Sequence, residues 1–91
     1  MPLRDVAEYP RWVERESPSP AAQRVARHFI AELGDEPWRH PSVPIEALSI
    51  QPEFEVREAA LAVEGEERPV NIWYRHIYAT EVVDLIAVTN R

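Results

Sequence analysis

The sequence contains no cysteine and no lysine, and it has only two glycines. Without cysteine the fold cannot hold a disulfide, and thiolate chemistry and cysteine-ligated zinc are excluded. Gly34 and Gly65 stand far apart, so no glycine-rich loop is present to hold a phosphate. Because every basic side chain other than histidine is arginine, each cation is a planar group that can pair with a carboxylate or phosphate through two hydrogen bonds.

Long apolar stretches are also absent. No run reaches the roughly 18 apolar residues that a membrane span requires, and MPLRDVAEYP at the start lacks the apolar stretch and cleavage site of a signal peptide. We therefore expect no membrane segment and a cytoplasmic location. The length of 91 residues predicts a single domain, 1–91.

Positive charge is scarce, because the formal net charge is −6. Residues 45–68 hold seven acidic side chains and two arginines, which gives this segment a net charge of −5. An acidic chain is not a general binder of nucleic acid, so a nucleic-acid partner would have to meet a local arginine patch. This charge favours a basic protein as the partner.

One helix is predicted over 19–34. Apolar residues recur at steps of three and four from Ala22 to Leu33, which places them on one helical face. Ser19 can cap the first turn, and Gly34 suits a left-handed C-terminal cap.

The segments on either side of this helix are less regular. Residues 1–18 form an N-terminal arm, either a short helix or an extended segment, in which Trp12 is expected to dock on the core. Residues 35–53 contain four prolines and are interpreted as a crossing loop with one helical turn at 45–48.

The last part of the chain, 54–91, has the two-residue period of strands. Three strands are predicted, at 54–63, 69–78 and 81–89, and their short connections favour antiparallel neighbours. The predicted fold class is therefore α+β, with an N-terminal helical segment packed on an antiparallel meander of three strands, or of four.

The closing hairpin can be read residue by residue. A turn of two or four residues places Arg75 opposite Asp84 and Trp73 opposite Ile86, and the first hairpin adds Glu58 beside Arg75. The result is a row of charges, Glu58–Arg75–Asp84, whose members can satisfy one another without any catalytic role. A turn of three residues would instead place His76 opposite Asp84, and both registers remain open.

Alternation separates the chemically active residues into two groups. Trp73 and Arg75 share one face of the predicted sheet, while Tyr74 and His76 share the other. A site can therefore contain Arg75 with the two carboxylates of its row, or His76 with Arg57 and Tyr78.

Signals for metal or nucleophilic chemistry are missing. No two of the three histidines have the spacing of ligands on one helix or hairpin, so no metal site is expected. No serine lies in a nucleophile elbow, and no cofactor is expected.

Three stretches carry a family resemblance: EVRE at 55–58, IWYRH at 72–76 and VVDLIAVTNR at 82–91. Together with a helix followed by an antiparallel meander, they resemble the RelE/ParE toxin superfamily. Its members have an N-terminal strand and paired helices before the meander, whereas this sequence shows one clear helix. The acidic balance also differs from the basic character of the ribosome-dependent nuclease branch.

The resemblance implies a toxin-like domain of a toxin–antitoxin module, which acts as an mRNA interferase or a gyrase inhibitor and has a cognate antitoxin as its partner. In the nuclease case it implies phosphate or transition-state contacts for Arg57, Arg75 and Arg91. It also implies proton transfer or base stacking for Tyr74, His76 and Tyr78. Whether the protein is an enzyme stays open.

Two further interpretations come from the residues alone. One is a non-enzymatic acidic protein-binding module, such as an immunity, inhibitor or phage-type regulatory protein, with Trp38 or Trp73 as an anchor. The other is a homodimer that buries an apolar sheet face, because a single helix covers little of three strands.

Overall fold

The computed structural model describes residues 3–38, 42–45, 54–80 and 82–91. Its elements are β1 (Leu3–Asp5), α1 (Glu8–Glu16), α2 (Pro20–Leu33), β2 (Val43–Pro44), β3 (Phe54–Leu61), β4 (Val70–Ile77) and β5 (Val82–Thr89). The predicted α+β class is confirmed, since two helices pack against a five-stranded sheet.

The sheet is larger than predicted, and it is mixed. Its strand order is β1-β5-β4-β3-β2, with β3, β4 and β5 as antiparallel neighbours and β1 parallel to β5. Alternation could not reveal β1 and β2, because they have only three and two residues. Such short edge strands offer little unpaired backbone to another chain.

The N-terminal arm contains both a strand and a helix. In α1, the Trp12 side chain is fully buried in the core, and its Nε1 donates to Asn90 Oδ1 at 3.4 Å. Arg15 Nη2 donates to the Val88 carbonyl at 2.9 Å, so α1 is attached to β5 by polar contacts as well as by packing. The helix ends at Ser17, whose φ of 46° is left-handed.

The second helix begins as predicted and ends differently. The Ala22 amide donates to Ser19 Oγ at 3.1 Å, so Ser19 caps α2, and Pro20 occupies a first-turn position that needs no donor. The expectation of a left-handed cap at Gly34 is wrong. Its φ and ψ are −59° and −30°, and the Asp35 amide continues the right-handed turn by donating to the Glu32 carbonyl at 3.0 Å.

The hydrophobic core lies between the helix pair and one face of the sheet. It contains Trp12, Ala22, Ala26, Phe29, Ile30, Leu33, Ala59, Leu61, Val63, Val70, Ile72, Tyr74, Val83, Leu85 and Val88. Within the described ranges no helix is long and apolar enough to cross a membrane. Of the crossing loop predicted at 35–53, residues 39–41 and 46–53 lie outside the described residues, and with them most of the predicted helical turn at 45–48.

The closing hairpin has the predicted register over half of its length. Arg75 faces Asp84, but a bulge between Trp73 and Tyr74 then shifts the pairing, so that Trp73 faces Ala87 instead of Ile86. The extra residue in β5 is Ile86, which is exposed. A bulge is a two-against-one pairing that an alternation pattern does not reveal.

The first hairpin has a different register from the predicted one. Val56 faces Arg75, and Glu58 faces Trp73. The row Glu58–Arg75–Asp84 is therefore wrong, because β3 is displaced by two residues relative to the prediction. Glu58 instead accepts a hydrogen bond from Trp73 Nε1 at 3.0 Å.

Candidate functional site

The candidate arginines, His76 and Tyr78 lie in three places. Arg57, His76 and Tyr78 come together with Glu55 at one end of the sheet, on or beside its helix-side face. Arg75 lies on the opposite face, since it alternates with the buried Tyr74 and His76. Arg91 follows the other end of β5. It lies roughly 23 Å along the strand from Asp84, the partner of Arg75, at about 3.3 Å per residue.

We call the residues at the first place the Glu55 cluster: Glu55, Arg57, His76 and Tyr78. Arg57 is fixed through all three of its nitrogen atoms. Its Nε and Nη2 donate to the side-chain and backbone oxygens of Ser42, each at 2.9 Å, and Nη1 donates to Glu55. Nη2 also donates to the Trp38 carbonyl at 3.5 Å. Such a guanidinium has little donor capacity left for a ligand.

The Glu55 carboxylate lies between Arg57 and Tyr78. The Tyr78 hydroxyl donates to one carboxylate oxygen, and Arg57 donates to the other. Burial opposes ionisation of Glu55, but the hydrogen bonds from Tyr78 and Arg57 outweigh it and hold the pKa below its ordinary value. The hydrogen bond to Glu55 raises the pKa of Tyr78.

Those two pKa shifts decide what proton chemistry this pair can perform. Glu55 stays ionised and Tyr78 stays protonated over a wide range around neutral pH. A general acid or base works best with a pKa near the working pH, and both shifts lead away from it. The Glu55–Tyr78 pair is therefore suited to holding a shape more than to transferring protons.

His76 lies between two exposed aromatic rings. Its ring centroid is 5.0 Å from that of Tyr78 and 6.2 Å from that of Trp38. The histidine itself is buried, whereas Trp38 is 59% exposed and Tyr78 is 45% exposed. This end of the sheet presents an aromatic surface supported by the Glu55–Arg57 ion pair, and an aromatic surface of this kind can anchor a partner.

Tyr74 connects the Glu55 cluster to the core. Its hydroxyl donates to the Pro37 carbonyl and lies 2.9 Å from Ser42 Oγ, and its ring packs at a centroid distance of 6.2 Å against Phe29 in α2. Burial raises the pKa of Tyr74, so the hydroxyl stays protonated and can keep these contacts. The segment after α2 is thereby held over the end of β3 and β4.

The opposite side of the sheet, which we call the open face, has a different character. Its half-exposed or exposed side chains include the apolar Phe54, Trp73, Ile77, Val82 and Ile86 together with the charged Glu58 and Arg75. Both helices pack on the other side, and the pairing of Trp73 with Glu58 is the only polar contact of that indole in the described residues. A face of this composition is a candidate binding surface.

A charged group lies within the open face. Arg75 Nη2 donates to Asp84 Oδ2 at 2.9 Å, as the alternation predicted, and Arg4 from β1 binds the same carboxylate through Nε at 3.0 Å and through Nη2. The hydrogen bond from Arg4, together with Arg75, holds the pKa of Asp84 below its ordinary value in spite of burial. The observed row of charges is therefore Arg4–Asp84–Arg75, which runs from β1 to β4 and does not include Glu58.

Several residues of these two sites escaped the sequence analysis. Glu55 is part of the EVRE stretch, and its alternation with Arg57 places the two on one face, which is the signal that identifies this pair. Ser42 and Arg4 carry no such signal, since each belongs to a segment too short to show a period. In the part of the chain that the structure describes, no group of three or more histidine, aspartate or glutamate side chains is placed to hold a metal ion.

Comparisons of this chain with protein-family models, with curated proteins and with solved structures find no match.

Proposed function

We propose that this chain is a RelE/ParE-type toxin-like domain that acts by binding a protein target, as a gyrase inhibitor does, and does not cleave RNA. The observation that carries the proposal is the element order: a strand and a helix pair, β1-α1-α2, precede the β3-β4-β5 meander. The resemblance implies a strand and paired helices before the meander, and this order of elements supports the proposal. The strand motifs EVRE, IWYRH and VVDLIAVTNR lie on β3, β4 and β5 of that meander.

Binding is favoured over RNA cleavage by the positions of the arginines. An interferase of this type would use Arg57, Arg75 and Arg91 on one substrate, yet the first two lie on opposite faces and the third lies beyond the far end of β5. Arg57 is also engaged by Glu55 and Ser42. A net charge of −6 further disfavours a long polyanion.

The test is inducible expression in a bacterial host. Growth should stop on induction, and purified protein should inhibit DNA supercoiling by gyrase while primer extension shows no new cleavage of mRNA. Arg75→Ala should restore growth, and Arg24→Ala, on the exposed side of α2, should not. Normal growth at high levels of soluble protein would reject the toxin function, and ribosome-dependent mRNA cleavage would reject the binding mechanism.

A second candidate function is a non-enzymatic acidic binding module with a basic target. It is favoured by the β3–β4 connection, where Glu64, Glu66 and Glu67 are all exposed. Affinity chromatography on the immobilised protein should then recover a basic protein in stoichiometric amount, released by about 0.5 M salt because such contacts are screened. Recovery of no protein even at low salt would exclude this function.

A further inference from the structure

The open face contains two arginines that bind the same aspartate. Arg4 and Arg75 both bind Asp84, so two positive side chains share one carboxylate. Asp84 is nearly buried, with its side chain 8% exposed, whereas those of Arg4 and Arg75 are 54% and 40% exposed. Asp5, beside Arg4 in β1, offsets the charge of that arginine, so the exposed positive group nearest the apolar side chains of the open face is Arg75.

Arg75 is held in place but not saturated. Nη2 is bound to Asp84, and the guanidinium carbon lies 5.5 Å from the centroid of the Phe54 ring. Its Nε is buried and has no hydrogen-bond partner among the described residues. Arg57, on the covered face, uses all three of its nitrogens for hydrogen bonds within the chain. The buried Nε of Arg75 is out of reach of a ligand, but Nη1 makes no hydrogen bond within the described residues. Of the two arginines, Arg75 is therefore the one with a donor left for a ligand.

The surroundings of Arg75 restrict what such a ligand can be. Trp73 and Ile77 flank it along β4, and Phe54 and Val82 are near it on the neighbouring strands. An anion that binds here must bring apolar groups with it, because the arginine lies among apolar side chains. A carboxylate within an apolar peptide meets both requirements, whereas a nucleic acid would meet the repulsion of a net charge of −6.

We propose that the open face binds an apolar segment of a protein partner and that Arg75 receives one carboxylate of that segment. This inference deepens the proposed function, and it rests on it only in requiring that the partner be a protein. A second copy of the chain is a poorer occupant, because a twofold contact centred on Arg75 would bring two positive groups together.

The first experiment is a selection of phage-displayed peptides against the wild-type protein. Enriched peptides should carry aspartate or glutamate between apolar residues, and the best one is then synthesised with a fluorescent label. Fluorescence polarisation should show that Arg75→Met weakens its binding roughly tenfold or more, as expected for the loss of a central arginine contact. Arg24→Met, which removes an equal charge from α2, should leave binding unchanged.

A matched change in the peptide tests the same contact from the other side. Replacing the selected acid with glutamine or asparagine should weaken binding to the wild type by a similar factor and should have little effect on binding to Arg75→Met. This arm does not depend on how well the protein variant folds, which circular dichroism checks separately. Labelling with 5-fluorotryptophan locates the contact, since the ¹⁹F resonance of Trp73 should shift while that of the buried Trp12 stays in place.

Three results would overturn the proposal: no enrichment above an unrelated control protein, enriched peptides without an acid, or equal affinity for wild type and Arg75→Met. Failure of the proposed function would appear in the growth assay and not in the peptide-binding assay. If the peptides bind as expected but expression does not stop growth, the open face is a carboxylate-binding surface and the toxin function is rejected.

Discussion

The two faces of the sheet use the same side chain in opposite ways. Arg57 on β3 and Arg75 on β4 both pair with a carboxylate, but Arg57 is held from three directions by Glu55 and Ser42 on the covered side. Arg75 shares Asp84 with Arg4 on the open side and keeps part of its hydrogen-bonding capacity. Whether an arginine can bind a ligand thus depends on how many of its donors are used within the chain. Its presence in a sequence motif does not show this.

The largest expected loss of stability comes from replacing the tryptophan of the core, and the tryptophan of the open face serves as the comparison. Trp12 is fully buried in the core, so Trp12→Ala should lower the free energy of unfolding by about 3–5 kcal/mol. Trp73 is half-buried on the open face, and Trp73→Ala should cost only about 1–2 kcal/mol. Urea denaturation followed by circular dichroism measures both. Similar losses would mean that the open face contributes to stability as much as the core does.

The second prediction compares the two arginines. Arg57→Met leaves the mostly buried Glu55 carboxylate without its cation and should destabilise the fold by about 2–3 kcal/mol. Arg75→Met leaves Asp84 paired with Arg4, so the loss should stay below about 1 kcal/mol. Thermal melts of the two variants beside wild type give the order, and a larger loss for Arg75→Met would reverse the assigned roles.

The third prediction concerns the loss of stability at low pH. Glu55 and Asp84 both have a pKa lower in the folded protein than in the unfolded chain. Their ionised forms therefore stabilise the fold above the ordinary carboxylate value, about pH 4, and this contribution is lost as the pH falls through the folded values. Urea unfolding at about pH 6 and at about pH 3 should show that Glu55→Gln and Asp84→Asn each reduce the pH dependence of stability. An unchanged dependence in both would contradict the assigned hydrogen bonds.

The smallest effect is expected at the bulge. Ile86 is the extra residue of β5 and is 45% exposed, so Ile86→Ser should change stability by no more than about 0.5 kcal/mol. Its neighbour Leu85 points into the core, and Leu85→Ala should cost about 2–5 kcal/mol. Val88 tests the register directly, because it faces Ile72 and is fully buried, whereas a hairpin without the bulge would place it opposite Asn71 on the open face. Chemical denaturation of Val88→Ala should therefore show a loss of about 2 kcal/mol.

The sequence predicts the long elements of this fold better than the short ones. The helix over 19–34 and the three long strands show their periods over eight or more residues, and they were found within about two residues of their bounds. Arg75 and Asp84 face each other as predicted because the pairing near the second turn is regular. Glu58 was misplaced because the register of the first hairpin depends on a turn whose geometry the residues 62–69 do not specify.

The candidate sites were harder to predict because they depend on contacts between distant segments. Glu55 and Arg57 could be paired from alternation, but Ser42 reaches Arg57 across the proline-rich connection, and Arg4 reaches Asp84 from the other end of the sequence. Neither segment has enough residues to show a period. A local pattern cannot reveal which short strand lies beside β5.

The pairing of β1 with β5 has a consequence for how the chain folds during its synthesis. Leu3 pairs with Val83, so β1 stays without its neighbour until the last strand has left the ribosome. At about 5–20 residues per second, the intervening 80 residues require roughly 4–16 s. During that interval the helix pair can form locally, whereas the core face of the sheet waits for β5. β5 therefore completes the sheet, and truncating it should leave the eight-residue β4 with an unpaired edge that is prone to associate with other chains.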